Sequence, residues 1–142
     1  MVSVQFEESF WCNVDVAFRR LDLLYQREYE PLGLAVVEAH ILQLLYTEDG
    51  QMPSRLAKAV GRPATSFTPI LDGLERKGLI ERQMHPRDRR SVKIHLTAQG
   101  KALEEQVKET AERIENKLSG RIPDKDWQHF QQALAGCQAM TY

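Results

Sequence analysis

One stretch decides the fold: residues 61–97 read GRPATSFTPILDGLERKGLIERQMHPRDRRSVKIHLT. Its first half has the i, i+3, i+4, i+7 apolar spacing of an amphipathic helix, at Phe67, Ile70, Leu71 and Leu74. Gly78 ends this helix. The apolar period then changes to two, as in a half-buried strand, at Val92, Ile94 and Leu96. The stretch therefore predicts a helix followed by two strands, Leu79–Met84 and Ser91–Leu96, with His85–Arg90 as an exposed loop between them.

Two features constrain the start of this helix. Thr65 or Ser66 can cap it, because a short hydroxyl side chain accepts a hydrogen bond from the first backbone N–H groups. Pro69 must lie in the first turn, or the helix is kinked there, because proline has no N–H to donate. We therefore expect a helix whose outer N-terminal face carries hydroxyl groups.

Further helices flank this stretch on both sides. A short helix has Pro53 in its first turn and ends at Gly61, where a left-handed C-cap fits. Two short helices joined around Gly61 and followed by a hairpin make a winged helix-turn-helix. Helical periodicity also predicts a first helix from about Glu7 to Glu30, a second helix carrying Val37, Ile41, Leu44 and Leu45, a long helix capped by Thr97 that reaches about Leu118, and a last helix from about Pro123 to Met140. The expected fold class is mainly α with a small β-hairpin wing (α+β).

The bulk composition fits one globular unit. A chain of 142 residues, 42% of them hydrophobic and 27% charged, can bury a core without a disulfide or a metal. No apolar run approaches the ~20 residues of a membrane span, and the N-terminus has no signal-peptide pattern, so a cytoplasmic protein without a membrane partner is expected. The four histidines show no ligand spacing, and no catalytic motif occurs. We expect neither an enzyme nor a cofactor or metal site.

The charge is distributed unevenly along the chain. The formal net charge is -1. Residues 55–95 hold ten basic and four acidic residues, a net charge of +6, whereas the remaining nine basic and sixteen acidic residues give −7. A basic block inside an otherwise acidic protein is a local electrostatic footprint that favours a nucleic-acid partner.

The residues expected to contact double-stranded DNA lie on the helix-turn-helix and on the wing. A helix fits a major groove, where hydroxyl side chains on its outer face can reach base edges and phosphates. Arginines in the hairpin loop suit a narrow minor groove with its deep negative potential. The assigned set is Ser54, Arg62, Thr65, Ser66, Thr68, Arg87, Arg89 and Arg90.

Three motifs resemble those of a known family. Residues 74–82 (LERKGLIER) look like its helix-to-wing junction, and residues 88–91 (DRRS) and 96–100 (LTAQG) look like its wing and the cap of its long helix. The family is MarR (multiple antibiotic resistance regulator), and the resemblance covers nearly the whole chain in element order. It implies a transcriptional regulator, usually a repressor, that binds a palindromic operator as a homodimer.

The resemblance also carries implications for single residues. Asp88 is expected to support the wing by orienting Arg90, while Arg89 or Arg90 reaches the minor groove. His85 precedes Pro86 where the family often has an aspartate that can help brace the wing, and this chain lacks that acid. His40 lies on the second helix, where family members flank an effector cleft. A small aromatic or phenolic effector is therefore expected between the first two helices, the fifth helix and the winged domain.

We expect three regions within one compact unit: an N-terminal dimerisation helix (1–34), a winged helix-turn-helix (35–96) and C-terminal dimerisation helices (97–142). The terminal helices carry apolar stripes that would leave a large exposed patch on a monomer. Twofold pairing would cover that patch and present two recognition helices to successive major grooves. The alternative is that these three helices cover one another within a single chain.

Two other functions stay open at this stage. The winged helix could serve as a protein-interaction module whose basic wing binds an acidic partner. Some MarR relatives instead sense organic hydroperoxides through a first-helix cysteine, but that position falls on Asp15, and Cys12 lies about one turn away. Cys12 and Cys137, the only cysteines, are expected to be reduced and buried.

Overall fold

The computed structural model describes residues 5–140, apart from the side chains of Phe6 and Arg89. Within these residues, seven α-helices and one hairpin follow in the order α1 (Phe10–Tyr29), α2 (Val36–Thr47), α3 (Pro53–Ala59), α4 (Ala64–Arg76), β1 (Ile80–His85), β2 (Asp88–Leu96), α5 (Ala98–Ala102), α6 (Glu104–Ser119) and α7 (Asp124–Gln138). Short 3-10 turns, Phe6–Glu8 and Glu30–Leu32, flank α1. The two strands are antiparallel. The predicted class, mainly α with a hairpin wing, is confirmed.

The helix-turn-helix forms as the sequence indicates. Pro53 occupies the first turn of α3, and Gly61 follows the helix with φ of 65°, the left-handed conformation expected there. The backbone N–H of Arg62 donates to the carbonyl of Ala57 at 2.9 Å, which closes this turn. Gly78 ends α4 in the same conformation, with φ of 70°.

The start of α4 corrects the sequence interpretation. The helix begins at Ala64 with Pro63 as its N-cap, so neither Thr65 nor Ser66 caps it. The Ser66 hydroxyl donates back to the carbonyl of Pro63 at 3.1 Å. Pro69 is therefore the sixth residue of the helix rather than a first-turn residue, and it leaves the carbonyl of Thr65 without its i+4 donor.

Two other boundaries differ from expectation. The long helix predicted after Thr97 is interrupted at Leu103, whose N–H bonds the carbonyl of Gly100 in a tighter turn that separates α5 from α6. The predicted cap itself is confirmed, because the Thr97 hydroxyl accepts from the N–H of Gly100 at 3.0 Å. Strand β2 begins at Asp88, three residues before Ser91, because the hairpin narrows to a two-residue tip.

One core unites the winged region with the neighbouring helices. The apolar face of α4 is buried against α2, α3 and β1, while α1 and α2 both pack on α6. The largest fully buried side chains come from α1, α2, α3, α4, both strands and α6: Tyr29, Ile41, Leu42, Leu45, Leu56, Leu74, Ile80, Ile94, Val107 and Ile114. The orientation of α4 is therefore set by elements on every side of its apolar face.

The base of the wing is anchored to α2 and α5. Gln51, after α2, forms a bridge to Ile94 of β2, and a carboxylate oxygen of Asp49 accepts from the N–H of Leu96 at 2.9 Å. On the other side, Gly100 lies so close to Leu79 that an added Cβ would be 2.0 Å from the Leu79 carbonyl oxygen. The hairpin therefore leaves the core at a fixed angle.

The terminal helices bury little of their apolar surface. Phe10 and Trp11 are each 71% exposed at the start of α1, and Phe130 and Leu134 are exposed on α7. None of the residues of α7 is buried within the described part of the chain. In the single chain α1 therefore packs on α6, whereas the exposed apolar side chains of α1 and α7 do not cover one another.

Replacing Gly100 with Ala should lower the free energy of unfolding by ~1–3 kcal/mol or more, because the new methyl group would meet backbone that cannot rotate away. Urea unfolding followed by circular dichroism measures this. Gly136→Ala is the matched control, since Gly136 is also helical but has nothing within 4 Å of an added Cβ. That variant should keep its stability or gain up to ~1 kcal/mol. Equal stabilities of the two variants would contradict the close approach at Leu79.

Candidate nucleic-acid interface

The outer face of α4 is polar because its inner face is used by the core. Phe67, Leu71 and Leu74 are buried, and these positions follow the period of the helix. Thr65, Ser66 and Thr68 are all exposed at the N-terminal end. The Ser66 hydroxyl hydrogen is engaged by Pro63, so this side chain is left mainly as an acceptor, whereas the hydroxyls of Thr65 and Thr68 have no hydrogen-bond partner among the described residues.

Two other assigned residues lie beside α4. Arg62 is exposed in the turn between α3 and α4, and Ser54 is exposed in the first turn of α3. The structure thus brings the helix-turn-helix members of the predicted set to exposed positions on α3, α4 and the turn between them. A hydroxyl or guanidinium group in such positions can donate to phosphate oxygens.

Side chains brace the tip of the wing from both strands. A carboxylate oxygen of Asp88 accepts from the backbone N–H of Arg90 at 2.9 Å, so Asp88 supports the backbone at Arg90. His85 Nδ1 accepts from the backbone N–H of Arg87 at 3.2 Å. His85 therefore braces the turn although it is not an acid, which sequence reasoning did not foresee.

The pairing of the strands is irregular where the arginines lie. Met84 pairs with Val92, but the next residue of β1, His85, pairs with Asp88. Residues 89–91 are therefore extra on β2, and a bulge of this kind bends a strand and redirects its side chains. Arg87 and Arg90 are exposed, while the side chain of Arg89 lies outside the described residues.

An ion-pair network joins the wing to α4. Arg82 of β1 contacts Asp72 at 2.6 Å and also contacts Glu75, both on α4. This contact was missed at the sequence level, although Asp72 and Glu75 are three apart on one helix face and therefore neighbours. The network adds a contact between the wing and the exposed side of α4, beyond the contacts at the base of the hairpin that set its angle.

Comparisons with known proteins match this arrangement. The sequence profile of the MarR family matches residues 34–92. The HTH-type transcriptional regulator YkoM of Bacillus subtilis (strain 168) is 31% identical over 110 residues, which span 77% of this chain and 71% of YkoM. The chain belongs to the MarR family. It is thus a DNA-binding transcriptional regulator by family, and its relatives are regulators rather than enzymes.

Solved structures of this MarR fold superpose along nearly the whole chain. The transcriptional repressor CouR, bound to a 23-mer DNA duplex, is 25% identical, with a TM-score of 0.85 over 97% of this chain and 99% of CouR. BpsR of Bordetella bronchiseptica, whose structure concerns regulation of DNA binding by 6-hydroxynicotinic acid, is 20% identical, with a TM-score of 0.90 over 99% of this chain and 100% of BpsR. Because BpsR is only 20% identical to this chain, this similarity shows a shared fold and nothing more.

Other groups singled out in the sequence lie away from this face of the MarR fold. Within the single chain Cys12 is only half-buried on α1 and Cys137 is exposed on α7, both as free thiols, so neither shows the full burial that was expected. His40 packs edge-to-face on Tyr25 with ring centroids 5.9 Å apart, and burial lowers the pKa of His40. Within residues 5–140, no three His, Cys, Asp or Glu side chains group as metal ligands, and no helix has the length and apolarity to cross a membrane.

Replacing Arg82 with Met should weaken binding to every DNA duplex by a few-fold. The wing loses its ion pairs with α4, and Asp72 and Glu75 are left as uncompensated negative charges on the helix that is expected to meet the negatively charged DNA. Because the ion pairs are partly exposed, the free energy of unfolding should change by less than ~1 kcal/mol. Fluorescence anisotropy with labelled duplexes and urea unfolding measure the two effects.

The control for this variant is Arg121→Met, which removes the same charge from the exposed turn between α6 and α7. It should leave affinity nearly unchanged. If Arg82→Met and Arg121→Met bind DNA equally well, the network does not position the wing.

Proposed function

We propose that this protein is a sequence-specific repressor that binds a palindromic operator as a homodimer and releases it in response to a small aromatic or phenolic molecule. The observation that carries the DNA-binding part is the pairing of two polar surfaces. The exposed hydroxyl face of α4 and the arginine-bearing wing are held next to each other by core packing and are also joined by the ion pairs of Arg82. In double-stranded DNA, the major groove can accept the hydroxyl face of α4, and the minor groove can accept the arginines of the wing.

The roles of the two surfaces should differ. Thr65 and Thr68 have exposed hydroxyls suited to base edges, so in this proposal they contribute to the choice of sequence. Arg90 contacts the minor groove together with Arg87 and Arg89, and arginine stays charged at any working pH. The wing therefore supplies affinity more than sequence choice. Ser54, Ser66 and Arg62 complete the set as phosphate or base contacts.

The homodimer is supported by the apolar surface of the terminal helices. Phe10 and Trp11 are neighbours on α1, Phe130 and Leu134 lie one turn apart on α7, and all four remain exposed in the single chain. Large contiguous apolar patches are rare on monomers. Pairing of two copies through residues 1–34 and 97–142 would cover them and leave 35–96 free for DNA. A stable interface of this class buries more than ~2,000 Å².

The effector part of the proposal is supported by a structural neighbour and by a cleft. The structure of BpsR concerns regulation of its DNA binding by 6-hydroxynicotinic acid, a small aromatic acid. This chain has a cleft of about 490 Å³ lined by the turn after α1, the end of α4, α5 and α6, which overlaps the expected effector site only in part, because no residue of α1 or α2, His40 included, lines it. An effector bound in this cleft would change the distance between the α4 helices of the two copies in the homodimer, so that they no longer fit successive major grooves.

Arg90→Ala should weaken binding to operator and random duplexes alike. It should also reduce the salt slope of log K by about one for each phosphate that the protein no longer neutralises, so by about two per dimer. Thr68→Ala should instead narrow the difference between operator and random DNA by ~1–3 kcal/mol for each base that the side chain no longer reads. A salt titration with the region upstream of the protein's own gene as the operator, and a scrambled duplex beside it, measures both.

The two variants control for each other, because both remove exposed side chains and should leave thermal stability within about 0.5 kcal/mol of the wild type. Full affinity and an unchanged salt slope in Arg90→Ala would show that the wing does not read DNA. In that case a protein-interaction module, with the basic wing facing an acidic partner, becomes the better description.

A further inference from the structure

His85 is the last residue of β1 and lies beside the tip of the wing. It is exposed and pairs with Asp88, so that only Pro86 and Arg87 lie beyond it in the hairpin. The wing arginines carry the DNA contacts proposed above, whereas His85 has so far only its hydrogen bond within the turn. If the wing meets a groove of DNA, a side chain in this place comes close to the duplex as well.

The hydrogen bond within the turn fixes the state of the imidazole ring. A backbone N–H can only donate, so Nδ1 of His85, which accepts from the N–H of Arg87 at 3.2 Å, carries no proton. An imidazole with one unprotonated nitrogen is neutral and has its proton on the other nitrogen. The ring therefore carries an Nε2–H donor, and this donor has no hydrogen-bond partner among the described residues.

The shape of the ring directs this donor away from the turn. Nδ1 and Nε2 are separated by Cε1, so the Nε2–H points outward when Nδ1 faces the backbone of Arg87. A histidine side chain is several bonds shorter than that of arginine. When Arg90 extends to the floor of the minor groove, the ring of His85 therefore stays at the edge of the groove, where phosphate oxygens accept hydrogen bonds.

We propose that His85 is a further DNA contact, in which its Nε2–H donates to a phosphate oxygen at the edge of the minor groove. This contact rests on the function proposed above. Because the ring is neutral, the contact releases no counterion and strengthens binding by the same factor at every salt concentration. Because its acceptor is a phosphate, it strengthens binding to every sequence alike. The charged arginines of the wing, in contrast, make binding depend on salt.

An imidazole suits this place because it both braces the turn and donates to DNA. On the other strand Asp88 accepts from the backbone N–H of Arg90 through a carboxylate, whose negative charge is repelled by phosphates. An aspartate at position 85, which the MarR family often has, could accept in the same way but has no donor to offer when ionised. His85 accepts without adding a negative charge, and its second nitrogen remains available to the duplex.

Two substitutions separate the roles of the two ring nitrogens. In His85→Asn the amide oxygen can replace Nδ1 as the acceptor in the turn, but no donor reaches the position of Nε2. In His85→Gln the amide nitrogen can replace Nε2 as the donor, but no acceptor lies at the position of Nδ1. The two variants are therefore controls for each other. Thermal melts of both should coincide with that of the wild type, because the side chain is exposed.

DNA affinity is measured by anisotropy over a range of salt concentrations, with the upstream duplex and its scrambled counterpart, at one slightly alkaline pH. We expect His85→Asn to lower the affinity for both duplexes about tenfold, for the two contacts of a dimer. The slope of log K against log salt should stay that of the wild type. We expect His85→Gln to bind more tightly than His85→Asn at every salt concentration.

The state of the ring is measured separately, from the nitrogen chemical shifts of the His85 side chain. We expect an unprotonated Nδ1 and a protonated Nε2 in the DNA-free protein, and a change at Nε2 when the duplex is added. A protonated Nδ1 in the DNA-free protein would overturn the geometry from which the contact is derived.

Each binding result decides a different part. Equal affinities of the wild type and His85→Asn would remove the contact and leave the proposed function intact. A salt slope lowered by about one for each copy of His85→Asn would show that the ring binds DNA as a cation, which contradicts the neutral contact. A loss confined to the upstream duplex would place the donor on a base instead of a phosphate. If the wild type binds no duplex, the proposed function fails, and the contact fails with it.

Discussion

Burial of one face of α4 is the constraint on which the rest of the structure depends. Phe67, Leu71 and Leu74 face the core, and each fully buried side chain of this kind contributes ~1.5–3 kcal/mol. A partly exposed ion pair such as that of Arg82 contributes only ~0–1 kcal/mol. Packing therefore sets the pose of the helix, and the ion pair refines the position of the wing. Burial of these apolar side chains determines which side of α4 faces the core. Thr65, Ser66 and Thr68 lie on the opposite side and are therefore exposed.

A second level of organisation connects this rigid unit to the helices around it. The wing base is tied to α5 by the close approach of Gly100 to Leu79, and α4 is tied to α2 through Lys77 and Glu38. The terminal helices, in contrast, leave apolar side chains exposed. The chain thus combines a packed winged helix-turn-helix, specific contacts that connect it to α2 and α5, and exposed apolar side chains on α1 and α7 that a second copy could cover.

The sequence predicts most of the fold because its signals are local. Gly61 and Gly78 end helices in the left-handed conformation, and Thr97 caps α5, as their positions indicate. One miss is local, because α4 begins at Ala64 and not at the hydroxyl residues that could cap it. The other misses depend on how the chain folds back on itself. The break at Leu103 arises where α5 is held against Leu79, and the acceptor role of His85 depends on how the hairpin turns. The Arg82 network joins residues ten and seven apart in different elements, which periodicity alone does not pair.

In the proposed function, two copies of α4 and the wing read one DNA site together. Selection from a pool of random duplexes, performed with the wild-type protein, tests it most directly. The account predicts enrichment of an inverted repeat whose half-site centres lie about 10 base pairs, or one helical turn, apart. Enrichment of an unrepeated sequence, or recovery of duplexes without any common sequence, would contradict it.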